Sequence, residues 1–465
     1  MEEPHIAVVP SAGFTHLVPI LEFSKRLLSL HPRFQVTCLI PSVGSSLSTS
    51  SQSYLQTLPP TIHPILLPPV SKEHVQAEQS LAVQIELSVT HSLPHIKQEL
   101  SSLCSRARVV ALLVDVFAHD ALQFATEFNL LSYIYLPQAA LILSWYLYSQ
   151  ELDEILFSEN RDPEESIEIP GFVPMHSRDL PFQSRSSPGY RKFLERAEKF
   201  QLPDGVFVNS FHEMEASTIN ALRDEIRQKK RKTMVYPVGP ITQSGFNGRE
   251  NGSECLNWLD EQEPESVLYV SFGSGGTLSQ DQLNELAFGL EQSGKKFLWV
   301  LRPPNDIASA SYLGGEAEDP MQFLPRGFLE RTSKKQGLVV PLWAPQVQIL
   351  GHGSTGGFVC HCGWNSVLES VINGVPVIAW PLFAEQSMNA VILSDALKVA
   401  VRPKANDSGL VEREEIARVA RELMDGKEGI EIRKRMKSLS IAAENAIKED
   451  GPSTKTLAEV VATWK

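Results

Sequence analysis

Short β-branched apolar runs alternate with longer amphipathic segments along this chain, and the series runs twice. That pattern predicts an α/β protein of two Rossmann-like domains. Length agrees, since 465 residues are too many for one ordinary core and comfortable for two. A stretch rich in Gly, Pro, Asn and Ser, YPVGPITQSGFNGRENGSE (236–254), marks the join.

In the first half the strand candidates are HIAVV (5–9), QVTCLI (35–40), IHPILL (62–67), VVALLV (109–114), LSYIYL (131–136) and GVFVN (205–209). Helical patterns such as LVPILEFSKRLLSL lie between them. The second series is VLYVSF (267–272), FLWVL (297–301), GLVV (337–340), GFVC (357–360), PVIAW (376–380) and KVAVR (398–402). RPPNDIASASYLGGEAEDP (302–320) reads as a surface loop. VEREEIARVARELM, GIEIRKRMKSLSIAAENAIKE and STKTLAEVVATWK read as closing helices. The expected division is 1–240 for the first domain, 241–254 for a linker, 255–445 for the second domain and 446–465 for a C-terminal helix.

Hydrophobic content of 42% and charged content of 21% are those of an ordinary globular protein. A net charge of −13 argues against nucleic acid or an anionic membrane surface as a partner. The five cysteines are odd in number and do not form a disulfide framework, which points to a reducing, cytoplasmic compartment. MEEPHIAVVP has the character of neither a signal peptide nor a membrane span, and no run reaches 18 apolar residues. The sequons at Asn251 and Asn406 are read as chance matches.

Three motifs fail on context. Gly351-His-Gly353-Ser-Thr-Gly356 matches a dinucleotide fingerprint but precedes its strand rather than following it. VSFGSGGT (270–277) lacks the Lys-Ser/Thr of a P-loop. Cys360-His361-Cys362 has no second Cys or His pair to complete a zinc site, so no metal is expected. Neither a G-x-S-x-G elbow nor an Asp-x-Asp pair occurs.

HCGWNSVLESVINGVP (361–376) reads as a strand end, a turn at Gly363 and a helix. A capping box, Ser366-x-x-Glu369, accounts for two of its polar residues and is worth about 1 kcal/mol. It does not account for His361, Trp364 or Asn365. A helix N-terminus at the carboxyl end of a strand is an anion site, and His361, Asn365 and Ser366 add donors to it. Glu369 would repel phosphate and suits sugar hydroxyls instead. Upstream, Trp343-Ala-Pro-Gln346 offers an indole face for a base and an amide for its edge. Downstream, Glu385 and Gln386 suit the hydroxyls of a hexose. Together these residues predict a nucleotide-sugar site.

In the first domain His16 opens the helix after the first run, and Asp115 ends the fourth. With strand order 3-2-1-4-5, those two strands are neighbours and their carboxyl ends form a crevice. The two residues are 99 apart in sequence and would meet there as a His oriented by a carboxylate, a general-base pair.

WAPQVQILGHGSTGGFVCHCGWNSVLESVINGVPVIAWPLFAEQ (343–386) resembles, at nearly every fixed position, the 44-residue signature box of plant secondary-product UDP-glycosyltransferases. The likeness continues in PSAGFTHLVPILEFSKRL, VFVNSFHEMEA, YPVGPI, CLNWLDEQEPESVLYVSFGSGGTLS and MNAVILSDALKVAVRP, which are similar to the phenolic-glucosylating branch. The resemblance implies two facing Rossmann-like domains (the GT-B fold), with the C-terminal helix crossing back to the first. It implies that Trp343 stacks on uracil beside Ala344 and Gln346, and that Glu369 takes the ribose hydroxyls. His361, Asn365, Ser366 and Ser274 would hold the diphosphate, and Trp364, Glu385 and Gln386 the sugar. His16 would be the base and Asp115 its partner, in a single displacement that inverts the anomeric centre without a metal or other cofactor.

Two stretches depart from the family pattern. The one after the fifth run usually offers Ser or Thr to the sugar's 6-hydroxyl and here reads Leu136-Pro-Gln138-Ala139-Ala140. The first loop is PSAGFTH where relatives more often have Pro-Gly-Met-Gly-His. Phe14, Thr15, Phe117, His119, Gln138, Ile142 and Phe182 are the residues expected to line the acceptor pocket. The chain is thus expected to be a cytoplasmic, monomeric enzyme with no membrane span and no nucleic-acid partner. It would transfer glucose from UDP-glucose to a flavonoid, monolignol or simple phenol. The alternatives are the same chemistry on a triterpenoid or from another UDP-sugar, a non-catalytic nucleotide-sugar-binding protein, and a dehydrogenase that binds NAD.

Overall fold

The computed structural model describes residues 3–44, 47–76, 78, 80–158, 165–182, 184–229, 232–243, 251–309, 319–332 and 336–464. The chain divides into two compact units. One comprises Met1–Arg178, Phe182–Phe246 and Asn445–Lys465, and the other Asp179–Pro181 and Asn247–Glu444.

In the first unit, strands β1 (His5–Val9), β2 (Gln35–Ile40), β3 (Ile62–Leu66), β4 (Val109–Asp115) and β5 (Leu131–Leu136) follow the predicted runs to within a residue. A two-residue antiparallel ladder, β6 (Ser166–Ile167) with β7 (Met175–His176), stands apart. Strands β8 (Gly205–Val208) and β9 (Met234–Pro237) extend the sheet to the order β3-β2-β1-β4-β5-β8-β9, parallel at every junction. The central strands are buried along their length, as parallel strands covered on both faces must be, and so they read as continuous apolar runs.

β9 has no counterpart among the predicted runs, since YPVGPI reads as part of the join. Its strand is short, lies at the sheet edge and ends in a proline, which is tolerated only at such a place. The expected linker 241–254 is also shorter than predicted. Residues 244–250 lie outside the described residues, and a helix, Asn251–Asp260, begins inside its last four. Cys255 and Leu259, four apart on one face and fully buried, hold that helix down. Residues 310–318 of the expected surface loop likewise lie outside the described residues.

The second unit carries β10 (Val267–Ser271), β11 (Lys296–Leu301), β12 (Gly337–Pro341), β13 (Thr355–Cys360), β14 (Val377–Ala379) and β15 (Ala400–Val401). Their order is β12-β11-β10-β13-β14-β15, again all parallel. Only two residues of KVAVR form a strand, because Lys398 sits at φ +54, outside the extended region.

The last helix, Pro452–Ala462, packs in the first unit. Leu457, Val460, Val461 and Trp464 join the core formed by Val8, Phe23, Val36 and Leu113. Trp464 donates its indole N–H to the Tyr133 hydroxyl at 2.9 Å. Ser453 donates to the Gly239 carbonyl at 2.6 Å.

Candidate active site

In the first unit β1 and β4 are neighbours, with Val9 paired to Val114, so the residues just past their carboxyl ends converge. The chain leaves β1 and enters the helix Phe14–Leu30 through Gly13, at φ +105, a conformation that favours glycine. His16 lies in the first turn of that helix and Asp115 is the last residue of β4. Their side chains meet: His16 Nδ1 is 3.1 Å from Asp115 Oδ2, with Asp115 fully buried and His16 9% exposed. Donation from Nδ1–H to the carboxylate leaves Nε2 as the basic nitrogen of the neutral ring.

Asp115 does more than orient His16. Its Oδ1 accepts from the Phe117 backbone N–H at 3.1 Å, capping the turn Val116–Leu122. The same oxygen accepts the hydroxyl of Ser11. Ser11 was not among the predicted site residues. It is 1% exposed, and the sequence carries no pattern that singles it out from the turn after β1.

In the second unit the candidate residues gather past the carboxyl ends of β10, β12, β13 and β14. The helix Trp364–Ile372 starts at Gly363 with no side-chain cap. The capping-box alternative is therefore overturned. Ser366 is already the third helical residue, and both it and Glu369 turn toward Gln346. Gln346 Nε2 donates to Ser366 Oγ at 2.8 Å and to Glu369 Oε2 at 2.7 Å. Burial pushes the Glu369 carboxyl up to about 7, against the opposing hydrogen bond from Gln346. Trp343 and Gln346 are half-buried, and Ala344 is buried.

His361 follows β13 directly. A Cβ on Gly273 or on Gly363 would come within 2.5 Å of its Nε2, so both positions must be glycine for the ring to lie there. Its Nδ1 is buried and has no hydrogen-bond partner among the described residues. Ser274, next to Gly273, is exposed on the loop after β10. The turn before the helix passes through Cys362 at φ +63, and Asn389 Nδ2 donates to the Cys362 carbonyl at 2.9 Å. Asn389 is fully buried and was missed by sequence reading, where it looked like one polar residue in an apolar helix.

Trp364 is buried at 3% exposure, while Asn365 and Glu385 are half-buried. Gln386 is buried at 5% exposure, and the two ends of its amide have different settings. Its Oε1 accepts from the backbone N–H groups of Leu382 and Phe383 at 2.8 and 3.0 Å, so the carbonyl end is committed to its own turn.

The residues expected to line an acceptor pocket all fall in the first unit, in different settings. The rings of Phe117 and His16 meet edge to face, with centroids 5.0 Å apart. Phe14 is half-buried and meets Tyr54 edge-on at 6.2 Å, and Thr15 beside it is half-buried. Ile142 is buried at 2%. His119 is buried, sits 3.2 Å from the Val116 carbonyl through Nδ1, and is held below the usual imidazole range by desolvation. Gln138 is 8% exposed and its Oε1 has no partner among the described residues. Phe182 is half-buried and packs with Trp145, Tyr190 and Phe193 in an aromatic cluster.

Residues 245–408 match the family model described as UDP-glucoronosyl and UDP-glucosyl transferase. The chain is 46% identical to the hydroquinone glucosyltransferase of Rauvolfia serpentina, over 99% of this chain and 98% of that one. It is 46% identical to UDP-glycosyltransferase 72B1 of Arabidopsis thaliana, over 100% of this chain and 98% of the relative. UGT2 of Phytolacca americana, solved with UDP-2fluoro-glucose and pterostilbene, is similar in structure with a TM-score of 0.90 at 44% identity, over 99% of both chains.

Proposed function

The chain belongs to the UDP-glucoronosyl and UDP-glucosyl transferase family, and from that premise we propose that it transfers glucose from UDP-glucose to a hydroxyl of a phenolic small molecule. The observation that carries the reading is the pairing of His16 Nδ1 with a fully buried Asp115, because a nucleotide-sugar-binding protein without chemistry has no use for an oriented base. The relatives support the substrates: one is a hydroquinone glucosyltransferase, and another was solved with a UDP-sugar analogue and pterostilbene.

The reaction is one displacement. The phenolic oxygen attacks the anomeric carbon of the glucose as His16 Nε2 takes its proton, and the bond from that carbon to the diphosphate oxygen breaks. The electron pair leaves with UDP. Asp115 stabilises the imidazolium that forms. The N-terminal amides of the helix Trp364–Ile372 and the side chains of His361, Asn365, Ser366 and Ser274 meet the charge of the leaving diphosphate, with no metal required. Trp343 and Ala344 hold the base. Gln346 holds Glu369 in place for the ribose hydroxyls, while Trp364, Glu385 and the amide nitrogen of Gln386 face the sugar. Inversion turns the α-linked donor into a β-glucoside. Five unpaired thiols support a reducing compartment, the cytoplasm.

Incubation with UDP-glucose and a panel of flavonols, monolignols, hydroquinone and a triterpenoid tests this reading. The expected product is a phenolic glucoside whose anomeric proton shows the β configuration by NMR. An α-glucoside, or transfer to the triterpenoid alone, would overturn it.

A further inference from the structure

A charged pair is buried where an apolar one would cost less. Arg196, on the helix Tyr190–Lys199, is 3% exposed, and Glu86, on the helix Leu81–Thr90, is 6% exposed. Arg196 donates to Glu86 Oε2 from Nη2 at 2.6 Å and from Nε at 3.2 Å, and to the Tyr146 hydroxyl from Nη1 at 3.3 Å. Buried pairs of this kind seldom add net stability over well-packed apolar residues, so their value is sought in what they hold in place. Three N–H groups so anchored fix the plane of the guanidinium. Its Cζ lies over the ring of Phe117, 4.5 Å from the centroid.

Phe117 touches His16. Its backbone N–H is bound to Asp115, and its ring and the imidazole meet edge to face, with centroids 5.0 Å apart and planes inclined by 71°. Asp115 fixes one nitrogen of His16, and the Phe117 ring packs against the imidazole. Phe117 in turn rests on Arg196. We propose that Arg196, anchored by Glu86 and Tyr146, is a positioning residue for glucosyl transfer: it fixes the ring of Phe117, which holds the imidazole of His16 in the orientation that takes the acceptor's proton. The inference rests on His16 being the base.

The test is a mutational cycle on the full chain. Replacing the pair together, Glu86→Met with Arg196→Met, removes both charges and leaves neither unpaired. With saturating phenol, kcat is expected to fall about tenfold, the KM for UDP-glucose to stay unchanged, and the melting temperature to hold. Phe117→Leu should cause a similar fall. Combining all three should lower kcat no further than either alone, because both changes break the same relay. Tyr146→Phe keeps the ion pair and removes one anchor, so it serves if the pair variant does not fold. It should lower kcat about threefold, again with no further effect in the Phe117→Leu background.

An unchanged kcat in the pair variant, or losses that multiply to about a hundredfold in the combination, would overturn the relay. A wild type that makes no glucoside would overturn the function itself, and the relay is then judged by NMR of the His16 ring protons. Those signals, assigned through His16→Ala, should move in both the Phe117→Leu and the pair variants. Signals unmoved by the pair variant would sink it.

Discussion

Glu369 is buried at 8% exposure, and its carboxyl is pushed up to about 7 by that burial. An acid raised in this way favours its neutral form below pH 7. The stability tied to the retained proton is present at low pH and is lost as pH rises through about 7. Ribose hydroxyls donating to Glu369 favour the carboxylate instead, so nucleoside binding should expel a proton between about pH 5 and 7. Uridine isolates the effect, since it carries no phosphate to titrate. Calorimetry near pH 6 in buffers of different ionisation enthalpy should show proton release on uridine binding, with affinity rising toward pH 8. Glu369→Gln should abolish the release. Proton-neutral binding in the parent chain would detach Glu369 from the ribose.

Single elements here are capped and tied by residues far away in sequence. The helix Ala140–Leu147 has no local side-chain cap. Glu215 instead accepts from the backbone N–H groups of Ala140 and Leu141 at 2.8 and 2.9 Å, and Ser210 donates to it at 2.5 Å. A carboxylate at a helix N-terminus suits the dipole, and its loss strands two buried donors. Glu215→Ala should therefore destabilise the first unit by about 2 kcal/mol, read by urea unfolding. A change under about 0.5 kcal/mol would show that water replaces the cap. The same remoteness explains what could be read beforehand. The predicted runs became β1, β2, β4, β5, β8 and β10 to β14, because parallel strands buried on both faces leave apolar runs, while the exposed edge strand β3 was marked only by its apolar residues. Ser366 and Glu369 fitted a capping box by spacing, yet tertiary contact with Gln346 decides where they point. Position in the turn after β1 placed His16 near Asp115, while Ser11 gave no pattern of its own. Asn389 is visible only once the turn at Cys362 is folded against it.

At the scale of the whole chain, the C-terminus belongs to the unit that the N-terminus begins. Arg26 donates to the Ile447 carbonyl at 3.0 Å and to Thr454 at 2.6 Å, and Trp464 stands edge-on to Phe34 within the core. Trp464 is 2% exposed, so Trp464→Ala should cost about 3–5 kcal/mol. The loss should appear as faster amide exchange in β2 and β5, with β10 and β13 unaffected. Equal loosening of both sheets would contradict the assignment of this helix to one unit.

The central claim is that His16, oriented by Asp115, takes the acceptor's proton while the second unit binds the donor without a metal. UDP release from UDP-glucose with a saturating phenol, in the presence of EDTA, measures it directly when the parent chain and His16→Ala are compared at equal UDP occupancy. The parent should turn over at an EDTA-independent rate. His16→Ala should bind UDP as tightly and lose about a hundredfold or more in kcat. Full turnover by His16→Ala, or arrest of the parent by EDTA, would contradict the account.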